Sequence, residues 1–383
     1  MKHNQHNKSF QFQLEPVEFN KQTEKSLLQF CLGGTLYMPG TRLIVDKILQ
    51  KELPALKSMV MCFEDAIRAE EVEEAEKNVF EQLARIANSL KQGRISINDI
   101  PLIFLRVRNV EQFIRFAAQL SHDQSNVLTG FVFPKFYRSN ALSYLQELKV
   151  LNQRLNLTLY GMPILEGKTI AYRETRTEEL LSLKTAIEPF QNLILNIRVG
   201  GTDFSSLVGV RRDINSSIYD ILPVRDTLSD ILNFFNRMEA DYTVSGPVWE
   251  YFLAHKQDDL HDLLHQKLHQ SLLSRDSILN DAIDGLLREV VLDKANGFVG
   301  KTVIHPSHLV YVNAMQAVTL EEYQDAHQII EAGDGVIKSG SANKMNEANP
   351  HRNWAKRTIL RAQAFGVIES EKDYIRLFME QAN

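Results

Sequence analysis

Charged side chains stand where short apolar runs end in this sequence of 383 residues. The positions best suited to chemistry are Glu64, Asp65, Arg106, Glu166 and Asp203. Mg²⁺ prefers oxygen ligands, and a site with one or two carboxylates leaves positions for waters and for an oxygen-bearing substrate. Arginine carries a permanent positive charge and a fork of N–H donors that matches a carboxylate. Together these residue types predict a metal site beside a site for a small acid.

The two candidate metal ligands are Glu166, which follows "LTLYGMPIL", and Asp203, which follows "LILNIRVGG" by one residue. Neighbouring parallel strands lie about 4.8 Å apart, so carboxylates at adjacent strand ends can share one cation. We expect Mg²⁺, with Mn²⁺ as the alternative ion. The competing interpretation is that each acid stabilises the N-terminus of the helix that follows it. The spacing of the two acids is compatible with either interpretation.

Three basic residues are candidates for binding an acidic substrate. Arg106 ends the run "PLIFL" and can hold a carboxylate through two N–H donors. A salt bridge from Arg106 to Glu64 or Asp65 is the alternative, and the two roles are compatible. Lys135, after a proline, and Arg42, after the turn "YMPG", are further candidate anion contacts. For these two residues an exposed position without a ligand is the competing interpretation.

Eight short runs of apolar and β-branched residues predict strands, separated by longer segments with apolar residues at spacings of three and four. The predicted strands span 33–40, 58–65, 101–109, 129–136, 157–167, 193–203, 241–247 and 297–306. Eight such units predict an α/β fold, a closed parallel (β/α)₈ TIM barrel, whose active site lies at the C-terminal ends of the strands. An open doubly wound sheet is the alternative, but it usually has an early glycine-rich phosphate loop, which this sequence lacks.

Composition limits the classes of function. The hydrophobic fraction of 44% and the charged fraction of 24% are those of a globular protein with a packed core. The net charge of -5 argues against nucleic acid or an anionic membrane as a partner. Cys31 and Cys62 lie in apolar stretches and are expected to be buried thiols. No run reaches 18 apolar residues and the N-terminus does not resemble a signal peptide, so we expect a cytoplasmic protein.

The pattern divides the chain into an N-terminal extension (1–31), the barrel (32–332) and a C-terminal lid with a helical arm (333–383). An insertion at 253–296 separates strands seven and eight and carries His261, His265 and His269 on one helix face. Histidines at that spacing can bind a metal, but the polar face of an amphipathic helix is the favoured interpretation. Residues 338–352 are rich in Gly, Ser and Asn, which predicts a mobile cover over the barrel mouth. A disordered surface loop is the alternative.

Seven motifs along the chain carry a family resemblance. They are, in order, "LYMPGTR", "CFEDAI", "LRVRN", "FVFPKF", "PILEGKT", "VGGTDFSSLVG" and "GFVGKTVIHPSHLVYVN". In this order they resemble the citrate lyase β-subunit-like proteins, which belong to the HpcH/HpaI aldolase superfamily of TIM barrels. The resemblance covers roughly residues 32–332. It implies Mg²⁺-dependent cleavage or formation of a C–C bond next to a carboxylate or thioester carbonyl.

The resemblance also assigns roles to residues. It implies that Glu166 and Asp203 are the metal ligands and that Arg106 binds the substrate carboxylate. Glu64 and Asp65 match the acidic pair that orders metal-bound water and this arginine.

At other positions the family pattern is matched less closely. Lys135 matches the Pro-Lys at the end of strand four, and "GKTVIHP" implies that Lys301 and His305 close the barrel mouth. The sequence departs from the family in "RVR" on strand three, "EGK" on strand five and "HPSH" on strand eight. Where acyl-CoA-using relatives have a lid acid from a neighbouring subunit, Glu347 is the nearest match. The departures surround the substrate, and they point to a divergent branch of C–C bond lyases found near bacterial stress- or tellurite-resistance genes.

The leading hypothesis is a Mg²⁺-dependent C–C lyase or aldolase that acts on a small carboxylic acid or its acyl thioester, with CoA or a carrier as the thiol. Arg106 holds the carboxylate, and Glu64, Asp65, a metal-bound water or Glu347 is the base. His305 contributes to substrate binding. The alternatives are a non-catalytic metal- and carboxylate-binding barrel with a scaffold or regulatory role in a stress response, and a phosphate-ester enzyme on the same scaffold. The resemblance also implies a homo-oligomer.

Overall fold

The structure is a computed structural model of the whole chain. It describes residues 1–4, 9–237, 242–252, 279–332, 335–338 and 345–379. The predicted histidine face with His261, His265 and His269 lies outside the described residues. So does the central part of the predicted cover, residues 339–344.

A parallel sheet of seven strands forms the centre of the described chain, in the order β6-β5-β4-β3-β2-β1-β7. The strands are β1 Gly34–Pro39, β2 Ser58–Cys62, β3 Leu102–Arg106, β4 Gly130–Phe133, β5 Tyr160–Leu165, β6 Arg198–Val199 and β7 Lys301–Val303. Each one lies within a predicted strand. The sheet is filled by apolar side chains, and every residue of β2, β3, β4 and β5 is buried.

Residues 242–247 close this sheet between β6 and β7. Val244 forms a parallel bridge with Ile197, and Gly246 forms one with Lys301. Thr302 then donates its backbone N–H to the carbonyl of Gly246 at 3.1 Å. The predicted (β/α)₈ barrel is therefore confirmed. Its seventh predicted strand is shorter than expected, because only isolated bridges form there.

Helices follow the strands and cover the outside of the sheet. They are α1 Lys25–Leu28, α2 Val45–Leu49, α3 Val72–Lys91, α4 Val110–Gln119, α5 His122–Val127, α6 Ala141–Leu155, α7 Lys168–Ala171, α8 Arg173–Ile187, α9 Gly201–Leu207, α10 Leu222–Phe235, α11 Asp281–Asn296, α12 His308–Met315, α13 Leu320–Glu331, α14 Ala348–Phe365 and α15 Lys372–Met379. The apolar residues of α3 recur at spacings of three and four, and Val72, Ala75, Val79 and Leu83 are all buried. No described helix is long and apolar enough to cross a membrane.

The N-terminal extension and the C-terminal arm pack together at the N-terminal side of the barrel. Gln13 donates its backbone N–H to the carbonyl of Val367 at 2.8 Å, and the ring of His3 lies 4.2 Å from that of Phe365. The His3 ring also lies beside Gly33, just before β1, because a Cβ atom added to Gly33 would stand 2.9 Å from Cε1 of His3. Both termini therefore close the end of the barrel opposite to the strand tips. The short parallel pair β8 Val318–Thr319 and β11 Val367–Ile368 joins the arm to the last barrel units.

The C-terminal region differs from the loop that its composition predicts. Residues Val336–Lys338 and Met345–Glu347 form an antiparallel pair, β9 and β10, and α14 begins at Ala348. Asn346 donates to Asp325 of α13 at 2.9 Å, which anchors β10 to the helix before it. The expectation that residues 345–352 lack regular structure is therefore wrong, because tertiary contacts to α13 supply what the local pattern lacks. A cover formed by the remaining residues stays a prediction, and so does the homo-oligomer.

Candidate functional site

A cavity of about 390 Å³ opens at the C-terminal ends of the barrel strands. Its wall includes Pro39 of β1, Cys62 of β2, Arg106 of β3, Ile164 of β5 and Val199 of β6. Side chains at these strand ends meet because parallel strands of a barrel all end at the same rim. Most of the charged candidates of the sequence are gathered here.

Glu166 and Asp203 lie on either side of Gly200. A Cβ atom added to Gly200 would stand 3.0 Å from Oε2 of Glu166 and 2.8 Å from Oδ2 of Asp203. The strands that carry the two acids are neighbours, since Leu165 of β5 pairs with Val199 of β6. One glycine without a side chain therefore allows both carboxylates to face the same small volume.

Burial and mutual repulsion favour the protonated forms of these two acids. Burial, together with the charge of Asp203, raises the pKa of Glu166 to about 7, against the charge of Arg106. Burial and the charge of Asp65 also raise the pKa of Asp203, while Arg106 and Lys135 oppose this. Among the described residues no cation forms an ion pair with Asp203. Glu166 shares Arg106 with two other acids and Asp203 has no ion pair of its own in this part of the chain, so a bound cation would supply charge that the pair needs.

The donor set at this position fits Mg²⁺. In the described part of the chain no group of three or more His, Cys, Asp and Glu side chains is arranged to hold a metal ion. Two carboxylates with open positions for water and substrate are nevertheless a common arrangement for Mg²⁺, which demands few protein ligands. Glu166 and Asp203 are therefore the residues that would hold the ion.

The hydrogen bonds show whether each of the two acids caps the helix that follows it. Glu166 accepts the backbone N–H of Lys135 at 2.7 Å, and no side-chain cap forms at the start of α7. Asp203 lies in the first turn of α9, where the helix N-terminus favours a negative charge. Capping is thus wrong for Glu166, whereas for Asp203 it is compatible with metal binding.

Arg106 is buried at the centre of an acidic cluster. Its Nη2 lies 2.6 Å from Oε2 of Glu64, 3.0 Å from Oδ2 of Asp65 and 3.2 Å from Oε1 of Glu166. The predicted salt bridge to Glu64 and Asp65 is therefore present. Nε is buried without a partner, and no described residue accepts a hydrogen bond from Nη1. Nη1 therefore keeps donors that a substrate carboxylate can accept.

Lys135 contacts the same cluster with both its backbone and its side chain. Its ammonium group pairs with Glu64 and lies 3.4 Å from Oδ1 of Asp65. Its φ of 46° is unusual for a residue other than glycine. Strained backbone of this kind persists where surrounding contacts hold it, often at functional sites. Here the contact is the hydrogen bond from the Lys135 N–H to Glu166, which fixes the orientation of that carboxylate.

The two members of the acid pair have different electrostatics. Burial raises the pKa of Glu64, although the charge of Arg106 opposes it. Burial also acts on Asp65, but its hydrogen bond with Glu64 and the charges of Arg106 and Lys135 outweigh it and lower the pKa of Asp65. Asp65 lines the cavity and about half of its side chain is exposed. At neutral pH Asp65 is thus an ionised and accessible carboxylate at the wall of the cavity.

Six residues selected from the sequence do not line the cavity. Glu64 and Lys135 belong to the acidic cluster around Arg106, and the other four lie outside that cluster. Arg42 is exposed on the loop after β1, and the ring of His305 stacks on Phe252 at 4.3 Å. Glu347 ends β10 and is also exposed. Lys301 is fully buried and pairs with two acids of α11, at 3.1 and 2.7 Å. The expectation that Lys301 closes the mouth is therefore wrong, because its side chain points from β7 into the layer of helices. Substrate binding by Arg42 and His305 stays a prediction.

The structure adds residues that the sequence reasoning missed. Arg198 and Tyr37 line the cavity, and the guanidinium of Arg198 lies 5.3 Å from the centre of the Tyr37 ring. The available signal for Arg198 was a single charged residue inside the apolar run "LILNIRV". Cys62 also lines the cavity, but burial raises the pKa of its thiol. As expected, both cysteines are buried and free.

Comparison with known proteins connects this chain to a family. The sequence profile of a family described as C–C bond lyase of the TIM-barrel fold matches residues 26–367. Among curated protein sequences, none is similar enough to count as a match.

Several solved structures match this chain at low sequence identity. Protein CitE of Mycobacterium tuberculosis, in complex with magnesium, acetoacetate and coenzyme A, is 14% identical over 86% of this chain and 97% of its own, with a TM-score of 0.48. The citrate lyase β subunit of the same organism, with oxaloacetate and magnesium, is 14% identical over 73% of this chain and 96% of its own, with a TM-score of 0.41. The malate synthase of Haloferax volcanii, with magnesium and glyoxylate, is 13% identical over 78% of this chain and 75% of its own, with a TM-score of 0.48.

Proposed function

This chain belongs to the family of C–C bond lyases of the TIM-barrel fold, and from that premise we propose that it is a Mg²⁺-dependent lyase or aldolase for a small carboxylic acid or its acyl thioester. The observation that carries the proposal is the pair Glu166 and Asp203, which meet around Gly200 in the cavity at the strand tips. Two adjacent carboxylates without enough positive charge are suited to a divalent cation.

When bound there, Mg²⁺ supplies Lewis-acid stabilisation of the negative charge that develops on the substrate carbonyl oxygen. The residues of the chain orient the reactants around that charge. Arg106 holds the substrate carboxylate through Nη1, the terminal nitrogen that the acidic cluster leaves unused. The backbone N–H of Lys135 keeps Glu166 aligned.

Asp65 is the carboxylate best placed to move a proton, because it lines the cavity and is accessible. In the cleavage direction it accepts the proton of the substrate hydroxyl group while the C–C bond breaks. The electron pair of that bond stays on the carbon next to the carboxylate or thioester carbonyl, and the hydroxyl carbon becomes a carbonyl. Asp65 then gives this proton to the enolate carbon, so that cleavage leaves no net proton on the enzyme. In the synthetic direction Asp65 removes a proton from that carbon and gives it to the new hydroxyl group.

Calorimetric titration with Mg²⁺ tests the metal site. Glu166→Gln and Asp203→Asn should each abolish the binding signal while circular dichroism remains that of a folded protein. Glu178→Gln removes an exposed carboxylate of α8 and serves as the control. Wild-type Mg²⁺ affinity in both site variants would contradict the assignment.

Catalysis is tested separately by hydrogen–deuterium exchange of the methyl protons of pyruvate and of acetyl-CoA in D₂O, followed by NMR. Exchange requires a base and a stabilised enolate, so it reports half of the reaction without knowledge of the second substrate. The wild type with Mg²⁺ should accelerate exchange of at least one compound, and Asp65→Asn should slow it. Binding of Mg²⁺ without any exchange would favour the non-catalytic barrel instead.

A further inference from the structure

Arg198 is a buried cation that has no anionic partner in the described part of the chain. It lies on β6, and only 1% of its surface is exposed. Nη2 donates to the hydroxyl oxygen of Thr302 at 2.7 Å and Nη1 donates to that of Thr35 at 3.4 Å. Nε has no partner, and no aspartate or glutamate of the described residues forms an ion pair with this guanidinium. Arg106 in the same cavity differs sharply, since it contacts three carboxylates.

The Arg198 side chain crosses the interior of the barrel. Its partners Thr35 and Thr302 belong to β1 and β7, and neither strand is a neighbour of β6 in the sheet. A side chain that joins them must therefore run through the space the strands enclose. Thr35 is near the start of β1, so the guanidinium lies deeper in the barrel than the strand ends that carry the metal ligands. It still lines the cavity that Glu166 and Asp203 share.

The surroundings hold this guanidinium in place without neutralising it. The two threonine hydroxyls and the ring of Tyr37 fix its position, but they carry no full negative charge. Burial lowers the pKa of Arg198, and only Tyr37 acts against this. A desolvated charge without a counter-ion is costly to the folded protein. A fixed, unneutralised fork that faces a cavity is suited to an anion that arrives with the substrate.

We propose that Arg198 binds a second carboxylate of the substrate, so that the substrate carries two free carboxylates, as a dicarboxylic acid does. One end of the substrate lies at Glu166, Asp203 and Arg106, and the remote carboxylate lies deeper, at Arg198. This inference rests on the proposed function for the position of the first end. It adds a specificity-determining residue and narrows the substrate class.

Two matched pairs of 2-oxo acids test the proposal. Oxaloacetate differs from 2-oxobutyrate, and 2-oxoglutarate from 2-oxovalerate, only by a carboxylate in place of a methyl group. Calorimetry with freshly dissolved acids and Mg²⁺ measures the affinity ratio within each pair. In the wild type at least one dicarboxylate should bind about tenfold or more tightly than its partner, the scale of a hydrogen-bonded charge pair.

In Arg198→Gln that ratio should fall to about one, through loss of dicarboxylate affinity, while binding of the monocarboxylate is kept. Arg176→Gln is the matched control, because Arg176 is also buried but pairs with Asp230 on the outside of the barrel. If the Gln variant is unfolded by circular dichroism, Arg198→Lys decides: a reduced ratio supports the proposal and an unchanged ratio overturns it. A wild type without preference in either pair also overturns it.

The same titrations without Mg²⁺ separate this inference from the proposed function. If the metal assignment fails, oxo acid affinity will not depend on Mg²⁺, yet the dicarboxylate preference and its loss in Arg198→Gln should persist. If only the Arg198 assignment fails, Mg²⁺ will increase oxo acid affinity and the ratio will be the same in the variant. The two failures thus give different results.

Discussion

Replacing Gly200 by alanine should weaken Mg²⁺ binding without removing any ligand. The new Cβ would stand 2.4 Å from Cβ of Glu166 and 2.8 Å from Oδ2 of Asp203, whereas ordinary contact begins at 3.4 Å. The Asp203 oxygen must therefore move by about 0.6 Å and the Glu166 Cβ by about 1 Å, the differences between these distances. Both atoms belong to the candidate metal ligands, so the added methyl group pushes the two carboxylates apart.

The expected size of the effect follows from the demands of the ion. Mg²⁺ requires nearly ideal octahedral geometry with oxygen atoms at about 2.0–2.1 Å, so displacements of this size exceed its tolerance. Overpacking of this kind typically costs about 1–3 kcal/mol. If that cost appears in binding, Mg²⁺ affinity falls by about 5- to 150-fold. Ca²⁺ accepts longer and more variable distances, so its affinity should fall less than that of Mg²⁺.

Isothermal titration with MgCl₂ and then CaCl₂ measures both affinities. Gly209→Ala is the control: Gly209 has a φ of 68°, which strains an alanine, but no atom lies within 4 Å of the new Cβ. This control should lose some stability and keep Mg²⁺ affinity. Wild-type Mg²⁺ affinity in Gly200→Ala would refute the reasoning that the two carboxylates act together on one ion.

Three further outcomes are expected. Arg106→Lys removes the fork of donors and should weaken pyruvate binding by about 1.5–3 kcal/mol in calorimetry; equal affinity would mean that Arg106 only holds the acidic cluster. Lys301→Met leaves two buried carboxylates on α11 with less compensating charge. The free energy of unfolding in urea should therefore fall by about 3–5 kcal/mol. If only pyruvate binding changes, Lys301 acts at the barrel mouth and the structural role is wrong. Glu322 has a pKa of about 2, below its ordinary 4.5, because the charge of Lys294 and the Thr319 N–H outweigh burial. Its ionised form therefore stabilises the fold above pH 4.5, and this is lost as the pH falls toward 2. Glu322→Gln should cost about 2 kcal/mol at pH 7, discounted for partial exposure, and a difference that persists at pH 2 would contradict the assignment.

The strand tips could be located from sequence because the signal is local. Each barrel strand is a short apolar run, and a charged residue directly after such a run falls at the rim. Glu64, Arg106 and Glu166 were found in this way, and the structure brings them together. The metal pair could be proposed for the same reason, since β5 and β6 are consecutive and adjacent.

The orientation of the Lys301 side chain could not be predicted from the sequence. In "GKTVI" a lysine and a threonine are neighbours, and consecutive residues of a strand point to opposite faces. Which of them faces the barrel interior depends on the register with β1, where Thr302 pairs with Thr35. The register directs Thr302 inward to Arg198 and Lys301 outward to α11.

The sequence by itself determined the order of strands and helices, the (β/α)₈ fold and the residue types at the rim, because these depend on local periodicity and on the chain order of adjacent strands. Only the tertiary structure decided which side chains enter the cavity and which charges have partners there. Among the described residues Arg198 pairs with no acid and Asp203 pairs with no cation, whereas Arg106 contacts three carboxylates from the tips of β2 and β5. Pairing of this kind joins residues that are distant in the chain, so it is set by barrel closure and strand register, which no local pattern encodes.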